Sequence, residues 1–258
     1  MAGAFLNRAW RWPTVMTIAA GMLLSVPAGV RADPVTPGWR EVWAGVDASS
    51  HVWLLYGGVT VAPNSDIFSE GLRLRVAGGY GGYTYEGERR GQLQAFNAKT
   101  SYAEALVGYY KQFGPLFAKG FVGVAAIEHD VEPIDPENPV QGQEVGPKLV
   151  AEFWLNMGSS AWSQVDLSWT SAHQTAAARV RAGYRVWSDV SLGPEGGINS
   201  NDLGKDARVG LFARYAWSGG EFSLAGGFAG RFLEDAQSLE TDAHAGELLI
   251  AGLDQRKA

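Results

Sequence analysis

The feature that most constrains this chain is an alternation of apolar and polar residues that restarts repeatedly along its length. It is clearest over 175–187, where Ala176, Ala178, Val180, Ala182, Tyr184 and Val186 interleave with Arg179, Arg181 and Arg185. Successive residues of an extended strand point to opposite faces, so this segment is a β-strand with one oily face and one charged face. Residues 71–86 repeat the pattern, with Leu72, Leu74 and Val76 opposing Arg73 and Arg75. The run that follows, Gly78-Gly79-Tyr80-Gly81-Gly82-Tyr83, puts small and aromatic side chains where a sheet curves or meets an interface.

The same alternation marks 40–49, with Val42, Ala44 and Val46 against Glu41, Trp43 and Asp47, and then 52–61. Over 102–113, Ala103, Ala105, Val107 and Tyr109 oppose Glu104 and Tyr110, and over 116–127 Val122, Val124 and Ala126 oppose Lys119. Leu149, Ala151, Phe153 and Leu155 oppose Lys148 and Glu152; Val165, Leu167 and Trp169 oppose Gln164, Asp166 and Ser168. Residues 190–198 are weaker and Gly-rich, 207–217 sets Val209, Leu211, Ala213 and Tyr215 against Arg208 and Arg214, and 221–232 carries Phe222, Leu224 and Phe228. With 247–253 this makes about twelve segments, each near the ~10 residues that a tilted membrane strand needs. The end of the chain admits two readings. Either Phe232 closes the sheet and a tail follows, leaving about ten strands, or 247–253 is a final strand without the usual terminal aromatic; 233–253 also reads as a helix.

Residues 1–32 read as a secretory signal peptide: Arg8 and Arg11 open it, 14–26 is an apolar core too short to span a bilayer, and cleavage is expected before Asp33. A Pro-marked linker, 33–38, leads into a single domain over 39–258. Removal of Arg8, Arg11 and Arg31 takes the net charge from −6 to −9. An acidic mature chain is not built for nucleic acid. The 258 residues include no Cys, so an exported form has neither disulfides nor thiolate metal ligands. Mean hydropathy is −0.08, and beyond residue 32 no apolar run approaches the ~20 residues of a membrane helix. If the chain enters a membrane, it does so as a barrel.

The links between segments give a second test. Those at 86–98, 129–147, 199–206 and 233–246 are long and polar, whereas 114–115, 158–160 and 188–189 are tight; the short outer links at Ser49-Ser50-His51 and 171–174 depart from this sorting. Long external loops and short periplasmic turns are the habit of outer-membrane barrels. The expected fold is therefore all-β, an antiparallel up-and-down transmembrane β-barrel of about 12 strands. Its apolar faces meet outer-membrane lipid, and Arg73, Arg75, Glu104, Glu152, Asp166, Arg179, Arg181, Arg185, Arg208 and Arg214 line the lumen, with Asp47 as a further counter-charge. These charges, with Trp43, Trp154 and Trp162, form either a polar path for a hydrated solute or an internal ion-pair network that fills a narrow barrel. On this reading Arg73→Leu is tolerated better than Leu74→Arg.

No catalytic, cofactor or metal site is expected. His51, His129, His173 and His244 are dispersed, and Ser49, Ser50 and His51 are the nearest approach to a hydrolase pair, with nothing in the sequence to orient a base. The acidic stretch 128–144 (Glu128, Asp130, Glu132, Asp135, Glu137, Glu144) matches no calcium loop and reads as a solvated external loop.

Three stretches resemble a known family: Trp43-Ala44-Gly45-Val46-Asp47-Ala48-Ser49-Ser50-His51, Tyr56-Gly57-Gly58 through Ala62-Pro63, and Gly78-Gly79-Tyr80-Gly81 through Tyr83-Thr84-Tyr85. Together with Gly108-Tyr109-Tyr110-Lys111 and Gly146-Pro147-Lys148, they are similar to the alphaproteobacterial cellulose biosynthesis protein BcsS. The resemblance implies an outer-membrane or envelope β-protein tied to cellulose synthesis and export, with cellulose or the synthase and export components as partners. It brings no catalytic residues to carry over. The alternatives are a general porin-like solute channel and an outer-membrane hydrolase or lipid-modifying enzyme.

Overall fold

The computed structural model describes residues 38–89, 92–136, 138–217, 220–232 and 239–252. The expected signal peptide, the linker up to residue 37, and the segments 233–238 and 253–258 lie outside the described residues. The chain is a meander of antiparallel strands: β1 Arg40–Ser49, β2 Val52–Val61, β3 Gly71–Arg89, β4 Gln92–Phe113, β5 Leu116–Glu132 and β6 Gly142–Met157. It continues through β7 Ala161–Thr170, β8 Ala176–Arg185, β9 Val190–Asn201, β10 Gly204–Trp217 and β11 Gly220–Phe232. Each strand pairs with its sequence neighbour, and the sheet curls on itself. A further strand, β12 Leu239–Gly252, stands where a helix was an alternative; it pairs with both β11 (Phe222↔Ile250) and β1 (Val46↔Leu248), which closes the barrel.

Connections at one end, the base, are tight because the sequence supplies turn residues there. Gly114 takes φ +59° between β4 and β5, a left-handed value that costs glycine little. The 62–70 turn is the exception: it folds back under the base, with Ala62 N–H donating to the Trp39 carbonyl (2.7 Å) and Ile67 N–H to the Gly38 carbonyl (2.9 Å). At its end Glu70 accepts from Lys111 Nζ (2.7 Å) and the Gln112 amide (3.1 Å), and these contacts hold its carboxyl below the usual carboxylate range.

At the other end, the crown, the expected loops are largely strand. Residues 86–98 pair as a hairpin up to Arg89↔Gln92, and 199–206 pair up to Gly204↔Asn201. Polar side chains there report water around a strand that has left the apolar belt, and the backbone still satisfies its donors and acceptors by pairing. The acidic stretch needs the same correction. Residues 128–132 and 142–144 are strand, and between them Asp135, Asn138 and Val140 are buried. Tyr85 Oη donates to Asp135 Oδ2 (2.7 Å) and accepts from Asn138 Nδ2 (2.7 Å), above a cluster of Phe96, Ala98 and Val131. Ala172–Gln174 forms a short 3-10 turn whose Ala172 and His173 are also buried, and Glu144 Oε2 accepts the His173 backbone N–H (2.6 Å).

The outer face is apolar over the middle of the barrel. Leu72, Leu74 and Val76 on β3, Val107 on β4, Val122 and Val124 on β5, Val180 on β8, and Val209 and Leu211 on β10 all face outward, Val76 at 59% exposure and Leu211 at 70%. Exposed aromatics border this belt: Trp39, Tyr109, Phe113, Tyr184, Trp187 and Tyr215 towards the base, and Trp53 with Tyr80 towards the crown, their rings 5.6 Å apart. Beyond the crown border the outward residues become Lys99, Glu128 and Asp130.

Curvature depends on small residues inside. A Cβ at Gly123 would lie 2.1 Å from the Ala105 carbonyl oxygen and 2.8 Å from Leu106 Cα, both backbone atoms that cannot rotate away. Gly123→Ala should therefore lower the stability of the folded barrel by ~1–3 kcal/mol, the usual cost of overpacking. Urea midpoints of detergent-folded protein test this; an unchanged midpoint would show that the wall has slack at this point.

Candidate functional site

The candidate site is the barrel lumen. Inward-facing residues of the strands enclose a cavity of about 1190 Å³. It runs from Glu221, Asp189 and Asn156 near the base, past Arg75, Glu104 and Glu152, to Thr100 and His129 beneath the crown.

Most of its charges meet a charge of opposite sign, and Lys119 also reaches Glu152 (3.9 Å). Arg75 meets Glu152 (2.5 Å), Lys119 meets Glu41 (3.1 Å), Lys148 meets Glu104 (3.6 Å) and Arg179 meets Asp166 (3.1 Å). Arg208 meets Asp47 (2.7 Å), Arg181 pairs with Glu195, and Arg214 pairs with Glu221. Some pairs follow directly from register: Lys119, Glu152, Asp166 and Arg179 occupy one cross-strand row from β5 to β8. Others cross the interior, Lys119 from β5 to Glu41 on β1 and Arg208 from β10 to Asp47 on β1, and so narrow it. Burying unpaired charges would cost several kcal/mol each, and pairing with hydrogen bonds is what makes a charged interior tenable.

Arg73, expected in the lumen, is placed elsewhere. Arg73 points inward but is fully buried beneath the 62–70 turn, where its guanidinium donates to the carbonyls of Ile67 (2.8 Å), Leu72 (2.9 Å) and Ser69 and sits 5.2 Å from the Tyr110 ring centroid. It is a clamp on that turn and not part of the cavity wall, because the turn folds in under the strand ends. Arg185, as expected, lines the cavity, at its exposed base rim, where it donates to the Ser159 carbonyl (2.9 Å). Conversely, Lys119, Lys148, Glu41, Glu195 and Glu221 were absent from the expected lumen set. The first three lie on the polar face of a clear alternation; Glu195 sits in a Gly-rich strand where the alternation is faint.

Aromatic rings share the lumen. Trp154 and Trp162 stack with centroids 4.1 Å apart and planes 16° from parallel, and Phe212 lies 5.3 Å behind Trp162. Across the barrel Trp43 lies 6.2 Å from Tyr56, and both line the cavity. Beneath the crown, His129 sits 5.1 Å from His173, ring to ring, and 3.1 Å from Tyr83 Oη.

Ser50 Oγ and His51 Nδ1 are 2.8 Å apart, on an exposed crown turn outside the cavity. Among the described residues no three His, Cys, Asp or Glu are grouped so as to hold a metal ion, and no helix is long and apolar enough to cross a membrane.

Two solved structures are similar to the chain. A KdgM porin superposes with a TM-score of 0.42 at 7% identity, over 83% of this chain and 99% of that one. The translocator domain of the autotransporter NalP from Neisseria meningitidis superposes with a TM-score of 0.48 at 12% identity, over 83% and 87% of the two chains. No curated protein matches the chain. The model of one family, cellulose biosynthesis protein BcsS, matches residues 42–239, which takes in every strand from β2 to β11 and nearly all of β1. The chain belongs to the cellulose biosynthesis protein BcsS family.

Proposed function

We propose that this protein is a non-catalytic β-barrel of the outer membrane that accompanies cellulose biosynthesis and export. The observation that carries the reading is the division of the wall: an apolar outer belt bordered by exposed aromatics, around a lumen of paired charges. A soluble barrel has the opposite need, an oily interior and a polar exterior. A membrane barrel turns its apolar residues to lipid and its polar residues inward. The base then faces the periplasm and the crown the exterior. Membership of the BcsS family supplies the link to cellulose, and cellulose or the synthase and export components are the partners in this reading. Its non-catalytic character rests on the pairing of the lumen carboxylates with cations and on the position of Ser50 and His51 outside the cavity.

Two measurements test it. Unboiled protein from membrane fractions should migrate differently from boiled protein, as folded barrels do, and recovery only from the soluble periplasmic fraction would overturn the membrane reading. Deletion in a cellulose-producing host should lower secreted cellulose while leaving synthase activity in isolated inner membranes unchanged; unaltered secretion would sever the link to cellulose. A general solute channel is the second reading, favoured by the reach of the cavity from base to crown. It requires conductance in planar bilayers and no cellulose phenotype on deletion.

A further inference from the structure

We propose that the base half of the lumen binds an uncharged glycan chain, with Trp154 as the platform on which one sugar ring stacks. The inference rests on the reading of the protein as a lipid-embedded barrel tied to cellulose, and adds the place where a glycan binds and the residue that holds it. Its first support is how the indole is held. Trp162 and Phe212 are buried, and Trp154, half-buried, lies flat on Trp162 while lining the cavity, with the Arg214 guanidinium carbon 4.9 Å from its ring centroid. The ring edge is fixed as well: Trp154 Nε1 donates to Asn156 Oδ1 (2.9 Å), and Trp162 Nε1 behind it donates to Ser191 Oγ (3.2 Å). A large aromatic face held rigid from behind binds at low conformational cost, and the C–H face of a pyranose is the flat, weakly polar partner it suits.

Charge is the second support. A phosphate or uronate entering the lumen would find Arg75, Lys119, Arg179 and Arg214 each already engaged by a carboxylate, and would have to displace one. A hydroxyl has no such conflict, since it can donate to a carboxylate and accept from a guanidinium of the same pair without disturbing the balance. Around Trp154 these groups are Glu221 and Arg214, with Asn156 and Gln164 beside them. Extent is the third. At about 1190 Å³ the cavity exceeds the roughly 300–1,000 Å³ of an ordinary small-molecule pocket, and it has a second aromatic wall in Trp43 and Tyr56. A chain of rings fits this length better than a single one.

The experiment uses the full chain folded in detergent and checked first for heat-modifiable migration. Cellohexaose is the uncharged probe and hexagalacturonate the anionic one, with binding followed by calorimetry and by indole fluorescence. Cellohexaose should bind and perturb the fluorescence, and hexagalacturonate should bind at least tenfold more weakly. Trp154→Ala should weaken cellohexaose about tenfold, equivalent to roughly 1.4 kcal/mol, while Trp154→Phe keeps part of the platform and loses less. If the alanine variant does not fold, the phenylalanine variant carries the comparison, and an affinity equal to that of the unaltered protein overturns the role of Trp154. Absence of cellohexaose binding by a heat-modifiable barrel, or equal or tighter binding of hexagalacturonate, overturns the glycan assignment and leaves the barrel reading standing. A chain that never shows the heat-modifiable form removes both.

Discussion

Arg181→Met should lower the stability of the folded barrel by ~3–5 kcal/mol, and adding Glu195→Leu should restore most of the loss. The two side chains are 2% and 6% exposed and face each other across β8 and β9, where register sets Arg181 opposite Glu195. Removing the cation leaves a carboxylate that neither water nor a partner reaches, and the full desolvation penalty falls on the variant. Methionine keeps the apolar contact that the arginine stem makes near Phe212, whose ring centroid is 5.2 Å from the guanidinium carbon, so lost packing is a minor part of the effect. The double variant removes both charges and should approach neutrality. Urea unfolding followed by tryptophan fluorescence checks both. A single-variant loss of no more than ~1 kcal/mol, the range of exposed pairs, would mean that water enters at this level and that the pairs are not the lumen's structural filling.

Val76→Arg should cost ~2–4 kcal/mol when the barrel is folded into lipid and far less in a detergent that adapts around it. Val76 is 59% exposed on the outer face, and β3 places it midway between Leu72, which is opposite Tyr109 of the base border, and Tyr80 of the crown border. It therefore sits near the centre of the belt, where a charge has the least access to headgroups. Equal stability of Val76→Arg and the unaltered protein in vesicles would remove lipid from the outer face. Arg73, inward-facing on the same strand, makes a poor control. Arg73 is bound to the carbonyls of the 62–70 turn, so Arg73→Leu strands buried acceptors and cannot be the mild change that a water-filled lumen would allow.

Much of the architecture was legible because strand alternation is a local signal. Leu72, Leu74 and Val76 lie on one face and Arg73 and Arg75 on the other for any extended backbone, and β1 and β2 have the ends that the pattern suggested. Strand ends at the crown were not legible. Residues 86–98 and 199–206 are polar, and polarity reports the surrounding solvent, not whether the backbone is paired. The aromatic borders could be anticipated from Tyr109, Phe113, Tyr184 and Trp187 near strand ends, whereas the crown pair Trp53 and Tyr80 needed the register that sets Trp53 opposite Gly82.

The site divides in the same way. The identity of the inward charges could be read from alternation for Arg75, Glu104, Glu152, Asp166, Arg179, Arg181, Arg208 and Arg214. Which carboxylate each cation meets could not, because Lys119 with Glu41 and Arg208 with Asp47 join residues far apart in the chain across the closed interior. By itself the sequence determined an alternating chain of strands with an apolar face, a charged face and no cysteine. Only the tertiary structure decided that the 62–70 turn buries Arg73, that Asp135, Asn138, Val140 and the His173 turn fold in at the crown, and that Trp154 lies on Trp162 while lining the cavity. The physical reason is reach. Alternation acts between neighbouring residues, whereas charge pairing and ring stacking are set by closure of the barrel, which brings together strands that no local pattern links.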